Sequence, residues 1–238
     1  MAIIIHLEHI TKVFKTSGED ILALKDINLT VEKGQFIGIL GPSGSGKTTL
    51  LQIMGLLERP TEGKLSIDGI DTMLISDKEK TKIRHKKISY VFQQYQLLPA
   101  LTTIENVLLP VLTFKKDKKF IERAEDLIDK VGLSHRRNHP PAKLSGGEQQ
   151  RLAIARALMS NPEIILADEP TGNLDQKTTE YIMDFFKNIH ENEGKTIIMV
   201  THNLELTSYM EEIYWMRDGS LHKDLNFNIP QNRVGGSD

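Results

Sequence analysis

The sequence predicts an α/β fold built on a mostly parallel β-sheet, and two observations support this prediction. Short apolar runs rich in Ile or Val have the length of buried strands, and they lie at residues 3–5, 36–40, 88–92, 164–167 and 196–200. Between several of these runs, apolar residues recur at helical spacing. Strands that alternate with helices along a chain form a parallel sheet that is covered by helices.

Two stretches show the helical spacing most clearly. The first has its apolar residues at positions 50, 53, 54 and 57, and the second has them at positions 182, 185, 186 and 189. We expect the second helix to begin near Asp175. A third helix is expected to begin at Ser145, because Glu148 follows three residues later and completes a capping box. Pro162 would end that helix.

The predicted organisation is a single domain over residues 1–222. Its core comprises residues of about 1–92 and 162–222, and a helical insert occupies about 93–161. No run in the insert resembles a strand, and residues 120–131 have the pattern of an amphipathic helix. Asp218-Gly219 lies between two short apolar runs and predicts a hairpin turn. Residues 223–238 are polar, and we expect a frayed tail.

Composition excludes several classes of protein. The chain has 238 residues, of which 39% are hydrophobic and 26% are charged, as in a soluble globular protein. A net charge of -2 lacks the basic excess of a nucleic-acid binder, and the absence of cysteine excludes disulfides and thiolate metal sites. No signal peptide is recognisable, and no apolar run approaches the roughly 20 residues of a membrane-spanning helix.

The most specific motif is a phosphate-binding loop. Its eight consecutive residues match the pattern G-x-x-x-x-G-K-[ST]: Gly41, Pro42, Ser43, Gly44, Ser45, Gly46, Lys47 and Thr48. The loop follows a predicted strand and opens a predicted helix, as the motif requires. The glycines let backbone N–H groups turn towards phosphate oxygens, Lys47 can reach the β- and γ-phosphates, and the Thr48 hydroxyl can ligate Mg²⁺.

Two further features are suited to the same chemistry. Asp168 and Glu169 end an apolar strand, where the first carboxylate can hold Mg²⁺ and the second can polarise an attacking water. Taken alone, such a pair is a solvated strand end.

Gly146 and Gly147 follow Ser145 in the first turn of its helix. Each glycine lowers the stability of the helix by about 1 kcal/mol relative to alanine. Bare backbone at a helix N-terminus is what an anion site needs, although a capped helix needs no ligand.

The order of these motifs resembles the nucleotide-binding subunits of ABC transporters. The phosphate loop is followed by LSGGEQQR at 144–151, LADEPTGNLD at 166–175 and Thr201-His202 after a strand. The resemblance covers about residues 3–222. FQQYQLLP at 92–99, TTIENV at 102–107 and TGNLD at 171–175 are typical of the lipoprotein-release, macrolide-export and cell-division group. The resemblance implies a phosphate-loop ATPase cassette with an antiparallel β part and an inserted helical subdomain.

The resemblance also implies roles for individual residues. Phe14 would stack on adenine, where a Tyr is commoner, and its alternative is a core residue of an edge strand. Gln93 would contact Mg²⁺ and the attacking water, and His202 would contact the γ-phosphate, although a lone His after a strand is usually structural. The nucleotide bound by the opposite subunit would be contacted by Ser145, Gly146, Gly147 and Glu148. Thr49 would add to the nucleotide contacts of the phosphate loop. Asp175 would lie at the subunit interface and also cap a helix.

The implied function is ATP binding and hydrolysis with Mg²⁺ by a homodimer that drives a separate membrane permease. The subunit would then lie at the cytoplasmic face of the membrane, held there by the permease through residues 95–101, and would not bind nucleic acid directly. One alternative is an ATP-gated regulator of a membrane-bound partner. Another is a soluble cassette that acts on nucleic acid or ribosomes.

The charged run Lys115–Lys119 predicts a solvated loop. Contact of this run with acidic lipid headgroups is the alternative.

Overall fold

The structure is a computed structural model that describes residues 2–111 and 117–224. Its strands are β1 (Ile3–Phe14), β2 (Ile21–Glu32), β3 (Phe36–Leu40), β4 (Glu62–Ile67), β5 (Ile70–Asp71), β6 (Ile88–Val91), β7 (Ile164–Asp168), β8 (Thr196–Thr201), β9 (Glu212–Arg217) and β10 (Ser220–Lys223). Its helices are α1 (Lys47–Met54), α2 (Asp77–Lys87), α3 (Thr103–Leu108), α4 (Lys118–Lys130), α5 (Gly146–Leu158) and α6 (Gln176–Glu193). No helix among the described residues has the length and hydropathy needed to cross a bilayer.

The larger sheet has the strand order β10-β9-β3-β8-β7-β6. Strands β9, β3, β8, β7 and β6 run parallel to one another, whereas β10 is antiparallel to β9 and is joined to it through the predicted turn at Asp218-Gly219. The mostly parallel sheet is therefore confirmed. Alternate residues of β3, β7 and β8 point to opposite faces, so Phe36 and Ile197 pack into one core while Ile37 and Ile198 pack into the other.

The second sheet is antiparallel, with the order β2-β1-β4-β5, and confirms the antiparallel part of the predicted fold. Its strands differ from the sequence prediction. Strand β1 continues to Phe14, and β2 and β4 were not predicted at all. These strands expose one face and bury the other, as Leu24, Ile27 and Leu29 of β2 illustrate. They therefore lack the continuous apolar runs by which the buried parallel strands were recognised.

Helices α3, α4 and α5 lie between β6 and β7 in the chain, and the described residues there form no strand. Their apolar faces share a core with α6 and one face of the large sheet. The other face of the sheet packs on α1 and the antiparallel sheet. The fold thus consists of a central parallel sheet between a helical layer and an antiparallel β layer.

Three sequence predictions need correction. Helix α1 ends at Met54 with Gly55 as its cap, so Leu57 lies outside the helix and is 52% exposed. Lys223 belongs to β10 and not to the tail, whose residues 225–238 lie outside the described part. Of the charged run, Lys115 and Lys116 also lie outside it. Asp117 caps α4, so Lys118 and Lys119 are helical and the loop prediction is wrong there.

The register of the parallel strands brings four carboxyl ends to one edge of the sheet. Leu40 of β3 pairs with Thr201 of β8, Val200 pairs with Asp168 of β7, and Val91 of β6 pairs with Ala167. The segments that follow these strands begin at residues 41, 92, 169 and 202. Ligands of open α/β sheets bind at this edge, so these segments define the candidate site.

Candidate active site

A cleft of about 710 Å³ lies beyond the carboxyl ends of these strands. Its lining residues come from β1, β2, the phosphate loop, three strand ends and the β9–β10 turn: Phe14, Ile21, Leu22, Ala23, Lys25, Ser43, Gly44, Gly46, Lys47, Thr48, Thr49, Gln93, Glu169, His202, Asp218 and Gly219. The structure thus unites the predicted phosphate-loop, glutamine, carboxylate and histidine positions in one cavity. Gly41, Pro42, Ser45 and Asp168 do not line the cleft.

Tight packing around the phosphate loop explains two of its glycines. A Cβ on Gly41 would lie 2.1 Å from the Met216 carbonyl oxygen, and one on Gly46 would lie 2.6 Å from that of Ala23. Gly46 has a φ of 106° and caps α1 without any side-chain hydrogen bond. The first N–H groups of α1 are therefore left for a ligand, and the helix dipole favours an anion there.

The side chain of Lys47 forms hydrogen bonds with the backbone of the phosphate loop. Its Nζ donates to the carbonyl oxygens of Gly41 and Pro42, each at 2.8 Å. Burial lowers the pKa of this amine, while the charges of Glu169 and Asp168 act in the opposite direction. A cation held at the loop carbonyls is placed to exchange those partners for phosphate oxygens.

Asp168 and Thr48 form the candidate metal site. Thr48 Oγ1 donates to Asp168 Oδ1 at 3.3 Å, and burial raises the pKa of the Asp168 carboxyl. The described residues contain no cluster of three or more His, Cys, Asp or Glu side chains that would hold a metal without other ligands. One hydroxyl and one carboxylate, with Gln93 in the same cleft, suit Mg²⁺ that completes its shell with phosphate oxygens and water.

Glu169 and His202 meet above this site. His202 Nδ1 lies 2.6 Å from Glu169 Oε2, and the glutamate side chain is 13% exposed. Glu169 has a φ of 43°, and its N–H donates to the Val200 carbonyl, which ties it to the neighbouring strand β8. A Cβ on Gly172 would lie 3.3 Å from Glu169 Oε2 and 3.5 Å from Gln93 Nε2. The three predicted catalytic side chains therefore converge on one place.

Phe14 belongs to an apolar end of the cleft, where it pairs with Ile21 of β2. Lys12 Nζ stands 4.7 Å from the centre of the Phe14 ring and is itself held by Glu58 Oε1 and the Arg59 carbonyl, each at 2.8 Å. The ammonium occupies one face of the ring, so the other is the face open to a stacking partner. Ile21 and Leu22 extend this apolar end.

The remaining predicted residues lie outside the cleft, at two neighbouring helix ends. Ser145 caps α5 and completes the predicted capping box with Glu148, whose carboxylate also accepts from Arg136 Nε at 3.1 Å. Asp175 caps α6 through Thr178. A Cβ on Gly147 would lie 2.7 Å from Thr178 Cγ2, so the first turns of α5 and α6 are in contact. Gly146 lies beside the Tyr95 hydroxyl.

Comparison with known proteins identifies the family. A family model described as "ABC transporter" matches residues 24–172. The chain belongs to the ABC transporter family. An uncharacterized ABC transporter ATP-binding protein of Methanocaldococcus jannaschii is 48% identical over 226 residues, which cover 92% of this chain and 96% of the relative. LolD, the lipoprotein-releasing system ATP-binding protein of Aquifex aeolicus, is 47% identical over 93% of this chain and 97% of its own length.

Solved structures show the same cassette fold. The M. jannaschii protein, in a dimeric post-hydrolysis state bound to ADP and Pi, superposes with a TM-score of 0.86 at 45% identity, covering 94% of this chain and all of that one. The cassette of CbiO1 from Clostridium perfringens, part of an ABC transporter complex, superposes with a TM-score of 0.83 at 28% identity, covering 93% and 88% of the two chains. ATP and Mg²⁺ are the ligands of this family, and the donor set of the cleft fits both.

Several residues of the cassette cleft escaped the sequence analysis. Ala23 and Lys25 come from β2, a strand that was not predicted, and Gly219 comes from the hairpin turn. Gly219 N donates to the Ser45 carbonyl, and Lys25 N donates to the Gly219 carbonyl. The turn therefore joins the phosphate loop to the antiparallel sheet. Its Asp-Gly signal was visible in the sequence, but its place beside the phosphate loop depends on tertiary packing.

Proposed function

We propose that this chain is the ATP-hydrolysing subunit of an ABC transporter, and that it dimerises around two MgATP molecules to drive a separate membrane permease. One observation carries the proposal: the cleft, with Asp168 beside Thr48, brings together groups suited to phosphate, to Mg²⁺ and to activation of water, yet the Ser145 end of α5 lies outside it. A helix end that is suited to an anion but does not line its own chain's cleft is suited to serve a second chain.

Binding would depend on the phosphate loop. Lys47 and the free N–H groups of the first turn of α1 meet the phosphates, and Phe14 offers its open face to the base. Thr48 and Asp168 would hold Mg²⁺, which neutralises phosphate charge when it is bound.

Hydrolysis would depend on Glu169. A water oxygen attacks the γ-phosphorus, the bond from that phosphorus to the bridging oxygen breaks, and the proton of the water passes to the Glu169 carboxylate. His202 holds that carboxylate through the contact at 2.6 Å. Gln93 Nε2 and Glu169 Oε2 both lie beside Gly172, and Gln93 would orient the water.

A two-fold dimer would complete each site with the partner's Ser145 helix end. An isologous contact repeats itself, so two chains would bury two nucleotides. The dimeric structures of the M. jannaschii relative support this arrangement. In such a dimer the N-termini of α5 and α6, which touch through Gly147 and Thr178, would form part of the interface.

Coupling to a permease would use the segment at residues 95–101. Next to it lies a second cleft of about 380 Å³ between the core and the helical layer, lined by groups that include Tyr90, Phe92, Gln96 and Leu109. The lipoprotein-releasing role named for the LolD relatives supports a membrane partner and a subunit held at the cytoplasmic face. The cargo would be selected by that partner.

Nucleotide binding by the phosphate loop is tested with Lys47→Ala. We expect the purified wild-type protein to hydrolyse ATP only with Mg²⁺ and the variant to lose tight MgATP binding, since no other described cation is placed at the loop carbonyls. Lys25→Ala serves as the control, because the Lys25 side chain also lines the cleft but makes no hydrogen bond to the loop carbonyls among the described residues. Near-normal affinity in Lys47→Ala contradicts the assigned site.

A further inference from the structure

The segment between β6 and α3 has an unusual backbone just after Gln93. Tyr95 has a φ of 22° and Gln96 has a φ of 50°. These values lie in the left-handed region, which residues other than glycine rarely adopt. Consecutive residues persist in this conformation only when their surroundings hold them there. The shape of this segment determines where Gln93 stands in the cleft, so the groups that hold it are of functional interest.

One side chain holds both carbonyl groups of this turn. Arg156 Nη2 donates to the Tyr95 carbonyl oxygen at 2.8 Å, and Nη1 donates to the Gln96 carbonyl oxygen. The planar guanidinium presents its donors in fixed directions, so two bonds from one fork define the relative orientation of both carbonyls. Burial lowers the pKa of Arg156, and no carboxylate offsets this in the described part of the chain.

Arg156 belongs to the last turn of α5, whose first turn is capped by Ser145. The same segment also reaches that first turn, because the Tyr95 hydroxyl lies 3.1 Å from the position of a Cβ on Gly146. The segment that carries Gln93 therefore contacts α5 at both ends. A helix of 13 residues is about 20 Å long and moves as one rigid element.

We propose that Arg156 is a positioning residue that couples the two ATP sites of the dimer. It ties the Gln93 segment, which would sense the nucleotide of its own chain, to the helix whose Ser145 end would serve the nucleotide of the other chain. Filling one site then aligns the helix end that the other site needs, and the two sites act cooperatively. This inference rests on the proposed function.

The chain offers a matched control in Arg123. This arginine also donates to backbone carbonyl groups at the C-terminal end of α5, at 2.9 Å to Leu158 and 3.1 Å to Met159. It extends from α4 and has no contact with the Gln93 segment among its hydrogen bonds. Replacing either arginine by methionine removes a long cation and its carbonyl bonds, but only one replacement releases Tyr95 and Gln96.

The test measures the ATPase rate of the purified protein against MgATP concentration. We expect a Hill coefficient above 1 for the wild type and for Arg123→Met, with an upper limit of about 2 because the dimer has two sites. For Arg156→Met we expect a coefficient of about 1 and a maximal rate lower by about tenfold. Binding of a fluorescent ATP analogue to dilute monomer should change by less than about twofold. Amide hydrogen exchange at residues 93–98 should be faster in Arg156→Met and unchanged in Arg123→Met.

If Arg156→Met does not fold, Arg156→Lys tests the proposal, because lysine keeps the positive charge but lacks the planar guanidinium that binds both carbonyl groups. It should lower the Hill coefficient while leaving the melting temperature close to that of the wild type. An active wild type with a Hill coefficient of about 1 overturns this inference alone, and so does a cooperative wild type with an equally cooperative Arg156→Lys or Arg156→Met. A folded wild-type protein that hydrolyses no ATP overturns the proposed function together with it.

Discussion

His202 Nδ1 lies 2.6 Å from Glu169 Oε2, at the ends of the neighbouring parallel strands β8 and β7. The two side chains differ in environment, since the histidine is 58% exposed and the glutamate 13% exposed. The buried partner is therefore the one whose position is closely constrained, and the histidine holds it from the solvent side. This geometry supports the proposal that Glu169 acts on water and that His202 holds its carboxylate in place.

The first prediction follows from this contact. His202→Ala should leave MgATP affinity within a few-fold of the wild type, because the phosphate loop is unchanged. The maximal ATPase rate should fall by about 10²-fold, the lower range for a positioned general base, since Glu169 loses the group that orients it. Steady-state kinetics separates the two effects. A variant with raised KM and an unchanged maximal rate would place His202 in binding and not in the support of Glu169.

The second prediction concerns stability. Burial raises the pKa of Asp168 above its ordinary value of 3.8, so the folded state binds this proton more tightly than the unfolded state does. The free energy of unfolding therefore falls as pH rises from about 3.8 through the raised pKa, and the whole penalty is present above the raised pKa. Asp168→Asn should stabilise the nucleotide-free protein by about 0.5–2 kcal/mol, a rise in Tm of about 2–4 °C per kcal/mol.

The same variant should lose Mg²⁺-dependent hydrolysis, because the metal loses its carboxylate. The gain in Tm should shrink as pH falls below about 3.8, because the Asp168 carboxyl then becomes protonated in the unfolded state as well as in the folded state. Asp184→Asn, at an exposed position on α6, is the matched control and should change neither Tm nor activity. A lower Tm for Asp168→Asn at pH 7 would show that the charge of Asp168 stabilises the empty site.

The third prediction concerns the base. Phe14→Ala should weaken nucleotide binding by about 0.5–1.5 kcal/mol, the value of an aromatic stack. GTP should bind the wild type as well, because a ring face does not read the edge of a base. Phe120→Ala is a control, since Phe120 also lies under a lysine ammonium but belongs to α4, outside the cleft. Strict rejection of GTP would show that another group reads the base.

Much of this site was predictable because its motifs follow buried strands. Strands β3, β7 and β8 are buried on both faces and appear in the sequence as continuous apolar runs, so the residues that follow them could be placed at one edge of a sheet. Strand β2 was missed because its buried residues alternate with exposed ones, and Ala23 and Lys25 were missed with it. The motif order also favoured one family.

Other features depend on packing that no local pattern reveals. Helix α2 buries only Lys80 and Ile83 and has no apolar face for periodicity to detect, although its capping box at Ser76 and Glu79 was a usable signal. Arg156 lies 60 residues from the Gln96 carbonyl that it holds. A contact of that sequence separation is invisible to spacing arguments. Whether Ser145 completes the site of a second chain is a matter of assembly and needs its own test.

The fourth prediction joins hydrolysis to assembly. Glu169→Gln keeps the size of the side chain and removes its charge, so MgATP binding should survive while hydrolysis falls by at least about 10²-fold. Persistent ATP that binds the dimer better than the monomer then shifts the equilibrium towards the dimer by mass action. Adding Ser145→Arg should abolish that dimer, because a bulky cation displaces the helix end. It should leave ATP binding by the single chain intact, since Ser145 lies outside its own cleft.

Sedimentation velocity of the Glu169→Gln protein, with and without saturating MgATP, is the most direct test of the central claim that two chains complete each other's ATP sites. We predict a monomer without nucleotide, a dimer with MgATP, and a monomer under both conditions once Ser145→Arg is added. A Glu169→Gln protein that binds MgATP and remains monomeric at saturation would contradict the claim.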